Sequence, residues 1–326
     1  MLSKNDFSSK QIIFLVPKDG DKLIFRNDNI IVVDRNGEVK HQSTCYRLFA
    51  VFIVGHITIT SGLIQRAKKF GFSIIFMTTS FRPYQTISSF AQANVMLRKN
   101  QYEYSEINAA ISLIENKILN QIAVINQLRN KSEMQKEAIS NLKDLYNKVK
   151  CCSNIQIIMG VEGTASRVYF KNYFNNVIWN GRKPRIKHDM INSLLDIGYT
   201  ILFSYVGAIA SVFGFDSYCG FLHTQFYMRQ SLICDLVEPF RPIIDKCVRK
   251  SINLGIFKTE DFMVYNEQWQ LKYEKTAEYS SVFINAIFQY RDEIYVYIRD
   301  VYRCYMNKTL NTNFPVWRME DGHSKL

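Results

Sequence analysis

Apolar positions change their period once along this chain. Up to about residue 86 they come in short β-branched runs separated by turn residues. From about Ser88 onward they recur at helical spacing. The short runs are Gln11–Val16, Lys22–Phe25, Asn29–Asp34, a segment from Val39, Leu48–Ile59 and Phe72–Thr78, and each predicts a strand. Lys18-Asp19-Gly20-Asp21 forms the turn between the first two, and Arg35-Asn36-Gly37 carries the Asn-Gly hairpin signal. Leu63–Phe70 has helical spacing, with Arg66, Lys68 and Lys69 on its polar side. His56, inside an apolar run, reads as a satisfied core histidine, and Ser80–Gln85 reads as a linker.

The second part predicts a succession of helices. Gln92–Tyr104 is the first. Ile107–Leu128 has apolar residues at 107, 111, 114, 118, 122 and 125, and pairs with Ser132–Val149 as a helical hairpin. Asp189 fits an N-cap before a long apolar helix. Its stretch Ile197–Phe215 is nineteen residues without a charge, long enough to span a bilayer. Gly198, Thr200, Ser204, Gly207, Ser211 and Gly214 dilute it and it is solitary, so a buried core helix is expected, with no membrane. Ser280–Asn307 predicts one long helix with Phe283, Ile287, Tyr290, Ile294, Tyr297, Ile298 and Val301 facing the core. The tail MEDGHSKL, with His323, is expected to be disordered and idle. The fold class is therefore α+β: a small N-terminal β-strand domain (1–86) followed by a larger all-helical domain (87–326).

Charge narrows the function. The 326 residues carry a net charge of +12, with an isoelectric point near 9.3. That points to an acidic partner, nucleic acid before an anionic membrane. The hydrophobic share, 47%, is that of a globular protein. The seven cysteines are odd in number and form no C-x-x-C pair, which argues against a structural zinc site or a disulfide framework and for a reducing cytoplasm. The N-terminus MLSKNDFSSK lacks the apolar region of a signal peptide.

The chemistry concentrates in Ser231–Asp245, SLICDLVEPFRPIID, with His223 just ahead of it. Asp235 and Glu238 lie three apart in an apolar segment, on one face of a helix. Buried acids are costly unless paired, and a metal or a base meets that cost; solvated positions on an amphipathic helix are the other reading. His223 and Glu238 are fifteen residues apart, about 22 Å on one helix at ~1.5 Å per residue. To share an ion, the chain must turn back between them, within Thr224–Gln230. Ser231 is then the expected N-cap, and Pro239 and Pro242 disturb the helix after the acids. Upstream, Glu162 sits between Gly160 and Gly163, with Ser166 and Arg167 near its face. Trp179–Lys187, WNGRKPRIK, is a basic loop suited to phosphates or simply to solvent.

Taken in order, GVEGTASRVYF, GRKPRIKHDMINSLLDIGYTILF and GFDSYCGFLHTQFYMRQSLICDLVEPFRPIID resemble the CRISPR-associated endonucleases and integrases that acquire new spacers, the Cas1 family. His188 departs from the family pattern, which often has proline or glutamine there. The resemblance implies Glu162, His223 and Glu238 as catalytic ligands of Mg²⁺ or Mn²⁺, with Asp235 in support. It implies joining of prespacer 3′-hydroxyls to the edge of a CRISPR repeat by transesterification. Its partners would be double-stranded DNA, a second copy in a homodimer, and the small Cas2 protein in a heterohexamer. Arg167, Lys171, Arg182, Arg185, Arg229 and Arg241 are the candidate phosphate contacts, Arg241 alternatively pairing with Glu238 or Asp235. Tyr169 and Tyr227 either meet DNA or, as the favoured role, pack in the core. The competing functional readings are a non-catalytic basic DNA-binding scaffold that keeps the fold, and an unrelated metal nuclease.

Overall fold

A computed structural model describes residues 3–79, 81, 83–87, 94–174, 179, 181–223 and 227–319. Among the described residues, the N-terminal part holds seven strands: β1 (Gln11–Leu15), β2 (Lys22–Arg26), β3 (Asn29–Val33), β4 (Val39–Thr44), β5 (Leu48–Val54), β6 (Ser73–Met77) and β7 (Pro83–Ile87). They form a four-stranded sheet in the order β1-β5-β6-β7 and a three-stranded antiparallel sheet β2-β3-β4. β5 pairs in parallel with both β1 and β6. A strand buried on both faces needs no alternation, which is why LFAVFIV is apolar throughout and buried throughout. Val51 and Ile53 face a small core with Leu23, Ile30, Val32 and Leu63. Ala50, Phe52 and Val54 face the other way, into the large core that continues through the helices.

Several details differ from the sequence reading. β5 stops at Val54, because Gly55 turns the chain at φ +109°; His56 is consequently exposed, not a core histidine. The turn at 18–21 is present, Asp21 N donating to the Lys18 carbonyl, but β1 and β2 lie in different sheets. Part of the segment taken as a linker is strand β7, an edge strand that tolerates Pro83 as its first residue. Ser80 and Arg82, and residues 88–93 where helical spacing begins, lie outside the described residues. A short helix, α1 (Lys4–Ser8), precedes the sheets and stacks Phe7 on Tyr295, ring centroids 4.2 Å apart.

The helices are α2 (Ser61–Phe70), α3 (Val95–Glu103), α4 (Asn108–Asn126), α5 (Glu133–Lys150), α6 (Ile155–Tyr173), α7 (Met190–Phe213), α8 (Ser231–Leu236), α9 (Arg241–Asn253), α10 (Thr276–Phe288) and α11 (Arg291–Asn307). A hairpin, β8 (Phe262–Tyr265) and β9 (Gln268–Leu271), sits among them, so this region is not purely helical. α7 is the apolar stretch that passed the membrane test by length, and 67% of its most apolar window is buried inside the protein. Asp189 caps it, accepting from Asn192 N. Gly198 lets it approach its neighbours: a Cβ there would lie 2.7 Å from Phe283 Cε1. The single helix expected over Ser280–Asn307 is two helices broken at Gln289–Tyr290. The apolar stripe runs through the break unchanged, so spacing alone does not reveal it. The break lets Arg291 reach back to the Ser8 and Lys10 carbonyls, and Asp292 and Glu293 favour the new helix start.

After α11 the chain runs back across α4. Asn116 accepts from Trp317 N (3.0 Å) and donates to its carbonyl. Asn120 accepts from Met319 N (2.9 Å) and donates to the carbonyls of Trp317 (3.1 Å) and Pro239 (3.0 Å). Met319 is buried, so the expected disordered tail begins anchored; residues 320–326, His323 among them, lie outside the described part. Asn120→Ala would leave three buried backbone groups without this partner, and we expect it to lower stability by about 1–3 kcal/mol. Urea unfolding checks this, and a change within experimental error would show that the strap adds nothing.

Candidate active site

Four pieces of chain meet on one side of the helical region. α4 contributes Lys117, α6 contributes Glu162, the loop before residue 224 contributes His223, and the run from α8 to the start of α9 contributes Asp235, Glu238 and Arg241. Pro239 and Pro242 interrupt this last segment as expected: α8 gives way to a 3₁₀ turn, Glu238–Phe240, before α9 begins. Ser231 is not the N-cap. It is the first, fully buried residue of α8, and Gln230 takes the cap position. His223 and Asp235, twelve residues apart, do meet; residues 224–226 lie outside the described part.

Two carboxylates converge on one cation. Lys117 Nζ is hydrogen-bonded to Glu162 Oε1 and lies 2.6 Å from Glu238 Oε2, as a close ion pair rather than an aligned hydrogen bond. Lys117 is 6% exposed and Glu238 4%. Ser166, one turn beyond Glu162, donates to its Oε1 at 2.7 Å. Arg241 Nε donates to Glu238 Oε1 at 2.9 Å, with its guanidinium over the Tyr199 ring. Burial pushes the Glu238 carboxyl up, but Arg241 and Lys117 outweigh it and hold the group at about 2. Glu162 is likewise held down, burial being overcome chiefly by Lys117, whose own ammonium the two glutamates stabilise against burial.

The other arm rests on hydrogen bonds. Asp235, 0% exposed, accepts from the backbone amides of Phe221 (2.7 Å), Leu222 (3.0 Å) and His223 (3.0 Å). Its Oδ1 also meets His223 Nδ1 at 2.6 Å. Nδ1 is therefore committed and Nε2 is the ring nitrogen left for a ligand or proton. Gly220 makes this possible, because a Cβ there would lie 2.7 Å from Asp235 Oδ2 and 2.8 Å from the Ser231 carbonyl carbon. Behind Arg241, Tyr199 hydrogen-bonds the buried Asp245. Burial pushes the Asp245 carboxyl up to about 6, against the hydrogen bond from Tyr199 and the charges of Arg241 and Arg182.

A sequence model of the family described as CRISPR associated protein Cas1 matches residues 15–284, most of the chain. The chain belongs to the Cas1 family. Among Cas1 relatives, it is 28% identical over 242 residues to the CRISPR-associated endonuclease Cas1 1 of Thermodesulfovibrio yellowstonii, covering 70% of this chain and 76% of that one. It is 31% identical over 207 residues to a protein of the same name from Francisella tularensis subsp. novicida, covering 60% and 64%. The fold is shared with a chain of a Cas6-RT-Cas1–Cas2 complex (TM-score 0.82, 23% identity, 96% of this chain and 36% of that). It is also shared with a casposase bound to an integration product (TM-score 0.78, 20% identity, 95% and 96%). The Cas1 fold class read from the sequence, strands followed by a larger helical region, is the one present.

Of the residues singled out by sequence, Glu162 and Glu238 are joined through Lys117, and His223 is joined to Asp235. His223 is close enough to help hold Glu238 ionised. Among the described residues no three His, Cys, Asp or Glu side chains come together in metal-ligating geometry; the Lys117 ammonium pairs with both glutamates. The donor set nevertheless fits a hard divalent ion: two carboxylate oxygens already converge on one cation, and an imidazole nitrogen is free beside them. Arg167, Lys171 and Arg185 are exposed, and Arg229 is half-buried. Arg182 turns inward onto Asn192 (3.0 Å) and Asp196 (2.5 Å). Tyr169 is core, stacked on Tyr173, whereas Tyr227 is 86% exposed and not packed as favoured. Lys117, Asn116, Asn120 and Gly220 were missed. Lys117 sits beside Ile118 and three residues from Ile114 on the apolar side of α4, and a cation on an apolar stripe was the available signal.

The depressed Glu238 carboxyl has a pH consequence. Its folded value, about 2, lies below its ordinary 4.5, so its stabilisation is fully present above pH 4.5 and is lost as pH falls through about 2. Wild type should exceed Glu238→Gln in unfolding free energy at pH 7 by more than at pH 3. Urea titrations of both at the two pH values test this, and a gap independent of pH would contradict the assignment.

Proposed function

We propose that this Cas1 chain is a metal-dependent DNA integrase and endonuclease, joining prespacer 3′-hydroxyl ends to the edge of a CRISPR repeat. The observation that carries this reading is the convergence of Glu162 and Glu238 on one cation beside His223, in a chain of shown family. Glu162, Glu238 and His223 Nε2 would hold Mg²⁺ or Mn²⁺. When bound, such an ion supplies Lewis acidity at the scissile phosphate and orients the attacking hydroxyl. Asp235 fixes the His223 ring and its tautomer. Arg241 keeps Glu238 ionised and so ready to ligate. Exposed Arg167, Lys171 and Arg185, together with Arg229, are assigned to phosphates; Arg182 and Arg241 act within the protein. Residues 1–86 are assigned to partner contact and 87–326 to chemistry. The casposase neighbour bound to an integration product and the Cas1–Cas2 neighbours support DNA and a Cas2 protein as partners; a double-stranded target and a homodimer are what the family resemblance implies.

The test is strand joining. The full chain, with and without its Cas2 partner, receives a short duplex with free 3′-hydroxyls and a supercoiled repeat-bearing plasmid, in Mg²⁺, Mn²⁺ or EDTA. Joining in metal alone, lost by at least ~10²-fold in Glu162→Ala and His223→Ala, is expected. DNA bound but neither joined nor cut in any metal would leave the scaffold reading instead.

A further inference from the structure

The glutamate cluster of the site is already electrically balanced. Glu162 and Glu238 contribute two negative charges, and Lys117 and Arg241 two positive ones, a sum of zero. A divalent ion held by the same carboxylates must compete with an ammonium that touches both. Arg241 approaches Glu238 from its other oxygen, so the competition falls on Lys117 alone. Four residues along α4, Gln121 is 2% exposed and its buried Oε1 has no partner among the described residues. Residues four apart share a helix face, and the later side chain leans back over the earlier turn. Gln121 thus offers an acceptor to an ammonium that leaves the glutamates.

We propose that Lys117 is the resident counter-cation of this site. Its ammonium holds Glu162 and Glu238 converged until they ligate a divalent ion, and Lys117 then withdraws along α4 toward Gln121. Lys117 thereby stabilises the metal-free protein and weakens metal binding, two effects of opposite sign from one charge. This rests on the metal-site reading above.

Mn²⁺ titration of the full-length protein separates the two claims. Mn²⁺ affinity by calorimetry and the thermal midpoint in EDTA and in Mn²⁺ are measured for wild type, Lys117→Gln, Lys117→Arg and Lys117→Gln/Glu162→Gln. Lys117→Gln should lower the midpoint in EDTA and bind Mn²⁺ about tenfold or more tightly than wild type, since a unit charge in contact has left a poorly screened site. Lys117→Arg should stay near wild type, and the added Glu162→Gln should remove the gain. If Lys117→Gln does not fold in EDTA, Mn²⁺ should restore its folding, and failure to do so counts against the proposal. Wild type binding Mn²⁺ with Lys117→Gln equal or weaker overturns the role of Lys117 and leaves the metal site standing. No Mn²⁺ binding by either protein overturns both.

Discussion

A positive charge buried between two glutamates sets the terms for the rest of this molecule. Taking Lys117 and Glu238 out of water is expensive, and the arrangement survives only if each finds a partner at close range. Lys117 can meet both Glu162 and Glu238 only if α4, α6 and the turn after α8 keep their relative positions. Much of the surrounding structure holds them there. Arg241 takes the second oxygen of Glu238 and lies on Tyr199, which bonds Asp245. Asn120, one turn from Lys117, ties α4 to the Pro239 carbonyl beside Glu238.

The two arms of the site are held by different forces. Glu162 and Glu238 are gathered by charge, through the Lys117 ammonium. His223 is gathered by hydrogen bonds from three consecutive amides to one fully buried carboxylate, which do not depend on any ion. A carboxylate receiving this many donors keeps its place without a metal. The histidine is thus preset by bonds that owe nothing to the charges gathering the glutamates.

The family match ends at residue 284, yet later residues wall the site. Phe314 packs on Phe221, two residues before His223, and on Tyr297. Trp317 packs on Phe240, two residues after Glu238, and on Tyr290. The C-terminal strap therefore touches the neighbourhoods of both arms, and its backbone is read by two asparagines of α4. In this chain the strap braces a shared fold with contacts outside the matched stretch.

Local patterning determined much of this protein. Strand runs, the Asn-Gly hairpin, the helical spacing of α4 and α5 and the Asp189 cap are short-range physics, and they appear close to where the sequence places them. Glu162, His223, Asp235 and Glu238 were grouped by their order in the chain, and packing brings Glu162 and Glu238 onto Lys117 and His223 onto Asp235. Tertiary structure alone decided the rest. Two strands adjacent in sequence joined different sheets, because pairing is chosen by which faces must be buried. One apolar stripe became two helices, because Arg291 had to reach the N-terminal carbonyls. Lys117 became part of the site because it is 45 residues from Glu162 in sequence and in contact in space. Spacing along a helix says that a cation lies on the apolar face; only packing says which acids meet it there.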